Sequence, residues 1–99
     1  MHVIKLKTLI EFYEQLGHRD AKGSLEAWYH EAKHGQWASP ADVKDQYRSA
    51  SILKDNRVVF NIAGNKYRLV VKINYGSKTV FVRFIGTHAE YDKIDAEVI

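Results

Sequence analysis

The fold is decided by one stretch of the chain, residues 57–85, which reads RVVFNIAGNKYRLVVKINYGSKTVFVRFI. Apolar and polar residues alternate along much of it, and a period of two is typical of β-strands. The alternation predicts strands over Arg57–Ile62, Lys66–Asn74 and Lys78–Ile85. The segments between them contain Gly and Asn, which favour short hairpin connections. The stretch therefore predicts an antiparallel meander of three strands.

The residues before this stretch have a helical period instead. A short strand is predicted first, over Met1–Lys5. Three helices are predicted next: Leu6 to Leu16, stopped by Gly17; Asp20, as a possible N-cap, to about His34; and Pro40 to about Tyr47, with Ser39 as N-cap. This order predicts an α+β fold in which the N-terminal strand and the helices pack on one sheet face.

The middle strand has two chemically different faces. Tyr67, Leu69, Val71 and Ile73 share the apolar one, and Arg68, Val70, Lys72 and Asn74 share the mixed one. In the last strand, alternation places Val80, Val82 and Phe84 on one face and Phe81, Arg83 and Ile85 on the other. One register would gather Arg68, Lys72 and Arg83 on an open face, but the sequence does not fix that register.

Length and composition set limits on the class of protein. The chain has 99 residues and no cysteine, which indicates a single domain over residues 1–99 and excludes disulfides, thiolate nucleophiles and cysteine-ligated zinc. No apolar run approaches the ~20 residues of a membrane span. A cytoplasmic protein is expected, since a chain without cysteine suits a reducing compartment.

The positive charge lies in one segment. Residues 57–93 hold seven basic and two acidic residues, whereas residues 1–56 are balanced and the tail 94–99 is acidic. A localised basic surface favours a polyanion such as nucleic acid. A basic sheet without any partner is the alternative interpretation. The candidate nucleic-acid ligands are Arg57, Lys66, Arg68, Lys72 and Arg83.

The segment after the last strand carries the candidate chemistry. Thr87 and Glu90 have the spacing of a capping box, which predicts a helical turn with His88 and Tyr91 on one face. Both groups can exchange protons, and a guanidinium can bind a phosphate bidentately. The set would suit phosphoryl chemistry on RNA. In the alternative interpretation His88 caps a turn and Tyr91 packs against the sheet.

A metal site is not indicated by the sequence. His30 and His34 have the i, i+4 spacing that zinc can use, but no third ligand is evident nearby. No metal and no cofactor are therefore predicted.

The pattern as a whole resembles the HigB group of toxins of bacterial toxin–antitoxin systems, within the RelE-like superfamily. The carrying residues are the start Met1-His2-Val3-Ile4, Trp28-Tyr29, the run VFNIAGNKYRL at 59–69 and THAEYD at 87–92. The likeness covers nearly the whole chain. It implies a small α+β domain with a twisted, mainly antiparallel sheet.

The resemblance also implies an activity. A HigB-like toxin would be an mRNA endonuclease that works on translating ribosomes without a metal and leaves a 2′,3′-cyclic phosphate. By position, Arg68 and Arg83 match the basic sheet residues of the family, with Lys66 as a helper. His88 and Tyr91 match its C-terminal motif as the acid–base candidates, their roles unassigned, and Asp92 could orient His88.

The resemblance further implies a partner, an antitoxin of the HigA type with a helix-turn-helix. The antitoxin would mask the toxin, and the toxin would meet operator DNA only through it. The acidic tail 94–99 departs from the basic end expected of a ribosome-binding toxin. Two other classes stay open: a catalytically silent module that blocks translation by binding RNA or the ribosome, and a protein-interaction subunit.

Overall fold

The computed structural model describes all residues, 1–99, and its strands form one mixed sheet. The strands are β1 His2–Ile4, β2 Ser51–Ile52, β3 Arg57–Ile62, β4 Tyr67–Asn74 and β5 Thr79–Thr87. Their order across the sheet is β1-β5-β4-β3-β2, and only the β1–β5 pair is parallel. The predicted meander is confirmed as β3, β4 and β5. The two-residue edge strand β2 was not predicted, because it is too short to show a period.

Three helices cover one face of this sheet. They are α1 Leu6–Glu14, α2 Lys22–His34, which follows a 3-10 turn at Arg19–Ala21, and α3 Pro40–Gln46. A short fourth helix, α4 His88–Tyr91, follows β5. Buried side chains of α1, α2 and α3, among them Leu9, Trp28 and Val43, join those of the strands in one core. The α+β class is thereby confirmed. None of these helices has the length and apolar character that crossing a membrane requires.

Two of the predicted helix ends are wrong. Helix α1 stops at Glu14, so Leu16 lies outside it with 91% of its surface exposed. Asp20 does not cap α2, whose N-cap position is Ala21. The Asp20 carboxylate instead accepts hydrogen bonds from Lys66 and Tyr67 at the start of β4. A contact across the fold thus overrides the local capping preference.

The face prediction for β4 is confirmed and that for β5 is wrong beyond Val82. Val71 pairs with Val82 but Val70 pairs with Phe84, so Arg83 is the extra residue of a β-bulge. Side chains that follow a bulge change face. Phe84 therefore packs on the side away from α1–α3, called the outer face here.

The chain after α4 returns across the outer face. Ala96 is buried there in a small cluster with Val59 and Val70. Glu97 forms an ion pair with Lys54 at 3.1 Å. Residues 94–99 therefore cover part of the outer face, and the part beside α4 is uncovered.

Candidate active site

Arg68 and His88 form the centre of the candidate site. Arg68 lies on the outer face of β4, directly across the strand pair from Gly86. Its Nε and Nη2 atoms lie 3.1 and 2.7 Å from Nε2 of His88. The register brings the two residues near each other, because Arg68 pairs with Gly86 and β5 ends at Thr87, directly before His88.

The contact with Arg68 sets the hydrogen-bonding role of Nε2 of His88. A guanidinium has only donors, so Nε2 of His88 must be the acceptor. The Nε2 lone pair is thus directed at Arg68, and an incoming hydroxyl could meet it only where Arg68 exchanges this contact.

Tyr91 completes the group from one turn further along α4. The Arg68 guanidinium carbon lies 5.4 Å from the centre of the Tyr91 ring, within the range of a cation–π contact. The Tyr91 ring is half-buried, and its hydroxyl makes no hydrogen bond within the chain. Arg68 therefore contacts both His88 and Tyr91, and the three residues are named the triad here.

The predicted capping box holds α4 in place and is confirmed. The Thr87 hydroxyl accepts from the Glu90 backbone N–H at 3.2 Å, and the Glu90 carboxylate accepts from the Thr87 N–H at 2.8 Å. These hydrogen bonds lower the pKa of the Glu90 carboxyl below its usual value. A four-residue helix has little stability of its own, so the cap determines where His88 points.

Two further cations share the outer face with the triad without touching it. Arg83 is exposed at the bulge, and its guanidinium carbon lies 5.6 Å from the Phe81 ring centre. Lys72 is half-buried next to Phe81 across the strand pair. Neither Arg83 nor Lys72 has an acidic partner. The register places Arg68 and Lys72 on the outer face, and Arg83, the unpaired residue of the bulge, lies beside Phe81 there.

Two other predicted RNA ligands are already engaged. Lys66 forms an ion pair with Asp20, and hydrogen bonds from Lys66 and Tyr67 lower the pKa of the Asp20 carboxyl. Arg57 donates from Nε to the backbone oxygen of Ile99 at 2.9 Å. Both cations would have to exchange a partner to bind a phosphate.

Asp92 lies at the C-terminal end of α4 without contacting the imidazole. Its side chain is exposed and makes no hydrogen bond, and the hydrogen-bond partner of His88 is Arg68. His30 and His34 lie side by side on exposed α2, with ring centres 4.6 Å apart. No group of three metal-ligating side chains is found.

Sequence reasoning missed Phe84 and Gly86 as parts of this site. The Phe84 ring centre lies 6.5 Å from that of Tyr91. Gly86 is buried beneath the Phe84 ring. A glycine inside a strand signals a close approach of other atoms, and that signal was available. The bulge that turns Phe84 outward had no signal in the alternation.

Comparisons with known proteins point to one family. The family model described as "HigB_toxin, RelE-like toxic component of a toxin-antitoxin system" matches residues 21–94, which contain the whole triad. The protein named "mRNA interferase toxin HigB" of Escherichia coli (strain K12) is 31% identical over 94 residues. That alignment covers 93% of this chain and 88% of the relative.

Two further relatives agree with this. The "mRNA interferase HigB" of Shigella flexneri is also 31% identical over 94 residues, with the same coverage of both chains. The "mRNA interferase HigB" of Escherichia coli O6:H1 is 29% identical over 73 residues, covering 72% of this chain and 71% of the relative. The likeness extends along most of each relative.

Proposed function

Since the chain belongs to the HigB family of RelE-like toxins, we propose that it is an endoribonuclease that cleaves mRNA. The relatives named mRNA interferases share most of their length with it. The observation that carries the proposal is the triad. Arg68 contacts both the His88 imidazole and the Tyr91 ring on the outer face of the sheet.

The triad suits cleavage by the 2′-hydroxyl of the RNA itself. In that reaction the 2′-oxygen attacks phosphorus, the bond to the 5′-oxygen breaks, and a 2′,3′-cyclic phosphate and a 5′-hydroxyl are left. A base must take the 2′-proton and an acid must protonate the 5′-oxygen. His88 and Tyr91 share these two roles, and every step is completed with groups of the chain.

The guanidiniums stabilise the charge that develops on the phosphate. Arg68 exchanges its contact with His88 for the phosphate oxygens, which releases the Nε2 lone pair for proton transfer. Arg83 and Lys72 bind neighbouring phosphates from the same face. Lys66 and Arg57 provide additional phosphate contacts. Asp92 supports α4 from its end.

The substrate in this proposal is mRNA on the translating ribosome, in the cytoplasm. The family description names a toxin–antitoxin system, so an antitoxin is the second partner. We infer an antitoxin of the HigA type with a helix-turn-helix, which would connect this chain to operator DNA.

Cleavage by purified ribosome complexes tests the proposal. Programmed ribosomes are mixed with excess wild-type chain, His88→Ala or Arg68→Ala, and the new mRNA ends are mapped and timed. We expect 5′-hydroxyl ends inside the coding region for the wild type. His88→Ala should be at least about 100-fold slower, since general acid–base catalysis contributes that much or more.

The control is the binding of each variant to the same ribosomes. His88→Ala should bind as the wild type does, because it leaves the Arg and Lys side chains of the outer face in place. A wild-type chain that binds and stops translation but leaves every mRNA intact would contradict the nuclease and indicate the silent binder instead.

A further inference from the structure

The bulge at Arg83 has a consequence for the triad. Strict alternation would have placed Phe84 in the core with Val80 and Val82. Because Arg83 is the extra residue, Phe84 pairs with Val70 and packs on the outer face instead. One inserted residue thus delivers an aromatic ring to the face that carries the triad.

The ring then lies along the strand over Gly86. A Cβ atom placed on Gly86 would be 2.5 Å from Cζ of Phe84, 3.1 Å from its Cε2 and 3.1 Å from Oε1 of Glu90. Real Cβ atoms do not approach carbon so closely, so the ring occupies space that every other residue type would fill. Gly86 is the residue directly across from Arg68. Its missing side chain therefore admits the ring next to the arginine.

The ring also supports Tyr91. The Phe84 and Tyr91 ring centres are 6.5 Å apart at an interplanar angle of 55°. Tyr91 carries the Arg68 guanidinium on its ring, and Arg68 holds His88. A chain of packed groups thus runs from the bulge through Phe84, Tyr91 and Arg68 to the imidazole.

We propose that Phe84, seated over Gly86 by the bulge, is a positioning residue that sets the Tyr91 ring and, through it, the Arg68–His88 pair for cleavage. The proposal rests on the nuclease function given above. Truncating Phe84 would leave the charge of the site unchanged and loosen its geometry. A displacement of about 1 Å at reacting groups can cost about 100-fold in rate.

A double-mutant cycle tests this inference. Phe84→Ala, Gly86→Ala and the double variant are compared with the wild type in single-turnover mRNA cleavage on programmed ribosomes, alongside ribosome affinity. Each single substitution should slow cleavage about 10- to 100-fold and change affinity less than about twofold. Gly86→Ala should cost clearly less once Phe84 is already alanine, because the contact at 2.5 Å is then gone and only the one with Glu90 remains.

Val59→Ala is the matched control for loss of packing. Val59 belongs to the same small apolar cluster but lies on β3, two strands from Phe84. All variants are assayed below their thermal unfolding transitions, where each is folded. Val59→Ala should lower the unfolding temperature and leave the cleavage rate of the folded protein unchanged. If Phe84→Ala does not fold, Phe84→Leu replaces it and should slow cleavage less.

The outcomes distinguish a failure of the role proposed for Phe84 from a failure of the nuclease function on which it rests. If the wild type cleaves and Phe84→Ala cleaves equally fast, Phe84 is not a positioning residue and the nuclease stands. The same conclusion follows if Gly86→Ala costs as much without the ring as with it, or if Val59→Ala slows cleavage equally. If the wild type cleaves nothing under any condition, the nuclease proposal itself is wrong.

Discussion

Asp20 connects the helical side of the molecule to the start of β4. Its carboxylate accepts from the Tyr67 hydroxyl at 2.6 Å and forms an ion pair with Lys66. The hydrogen bond from Lys66 is the largest cause of its lowered pKa, and that from Tyr67 is the next. The lowered pKa of Asp20 means that folding favours the ionised carboxylate, which has a direct consequence for stability against pH.

Asp20→Asn should therefore destabilise the protein at neutral pH but not in strong acid. A carboxyl with a depressed folded pKa stabilises above its unfolded pKa, ordinarily 3.8, and this stabilisation is lost as pH falls through the folded pKa. The difference in free energy of unfolding between wild type and variant should be constant from pH 7 to about 5 and shrink below about 4.

Denaturant unfolding at a series of pH values measures this difference. Asp45→Asn is the control, since Asp45 is exposed on α3 and its side chain makes no hydrogen bond. It should show no such pH-dependent difference. A difference for Asp20→Asn that stays constant down to pH 2 would mean that shape, and not charge, accounts for its effect.

Helix α4 carries His88 and Tyr91 of the proposed site, and its own sequence also supplies its N-terminal cap. Thr87→Ala removes the oxygen that accepts from the Glu90 N–H, which costs about 1 kcal/mol in other caps. Because α4 is a single turn, that loss should loosen α4 alone and reduce the population of aligned His88 about fivefold. Cleavage should slow by the same factor in single-turnover assays, with little change in unfolding temperature.

Thr87→Ser provides the comparison for this prediction. Serine keeps the accepting oxygen and loses only a methyl group, so cleavage should stay near the wild-type rate. Equal slowing by serine and alanine would show that the methyl group, not the cap, is what α4 requires.

Elements of this kind could be read from the sequence because their signals are local. Strand β3 has the predicted bounds Arg57–Ile62, and the Thr87–Glu90 capping box forms as its spacing indicates. The bulge at Arg83 and the partner of Asp20 could not be predicted this way. Both depend on pairing across the fold, and Asp20 meets Lys66 across 46 positions of the chain.

At the scale of the whole molecule, the sheet sorts its cations by their partners. Lys72 lies on the outer face without an acidic partner, whereas Lys66 is paired with Asp20 outside it. Neither the net charge of +3 nor the sequence alone distinguishes these two lysines. A phosphate that binds Lys72 forms an ion pair without displacing another group. A phosphate that binds Lys66 must compete with the Asp20 carboxylate.

The salt dependence of RNA binding distinguishes the two lysines. Each phosphate neutralised on a single strand contributes about 0.7 to the slope of log K against log salt concentration. In a His88→Ala background, which leaves RNA uncut, Lys72→Ala should reduce the slope by about 0.7 and Lys66→Ala by clearly less. Removing the competitor with Asp20→Asn should raise the effect of Lys66→Ala toward that of Lys72→Ala. If neither Lys72→Ala nor Lys66→Ala reduces the slope in either background, RNA binds elsewhere on the molecule than on the outer face.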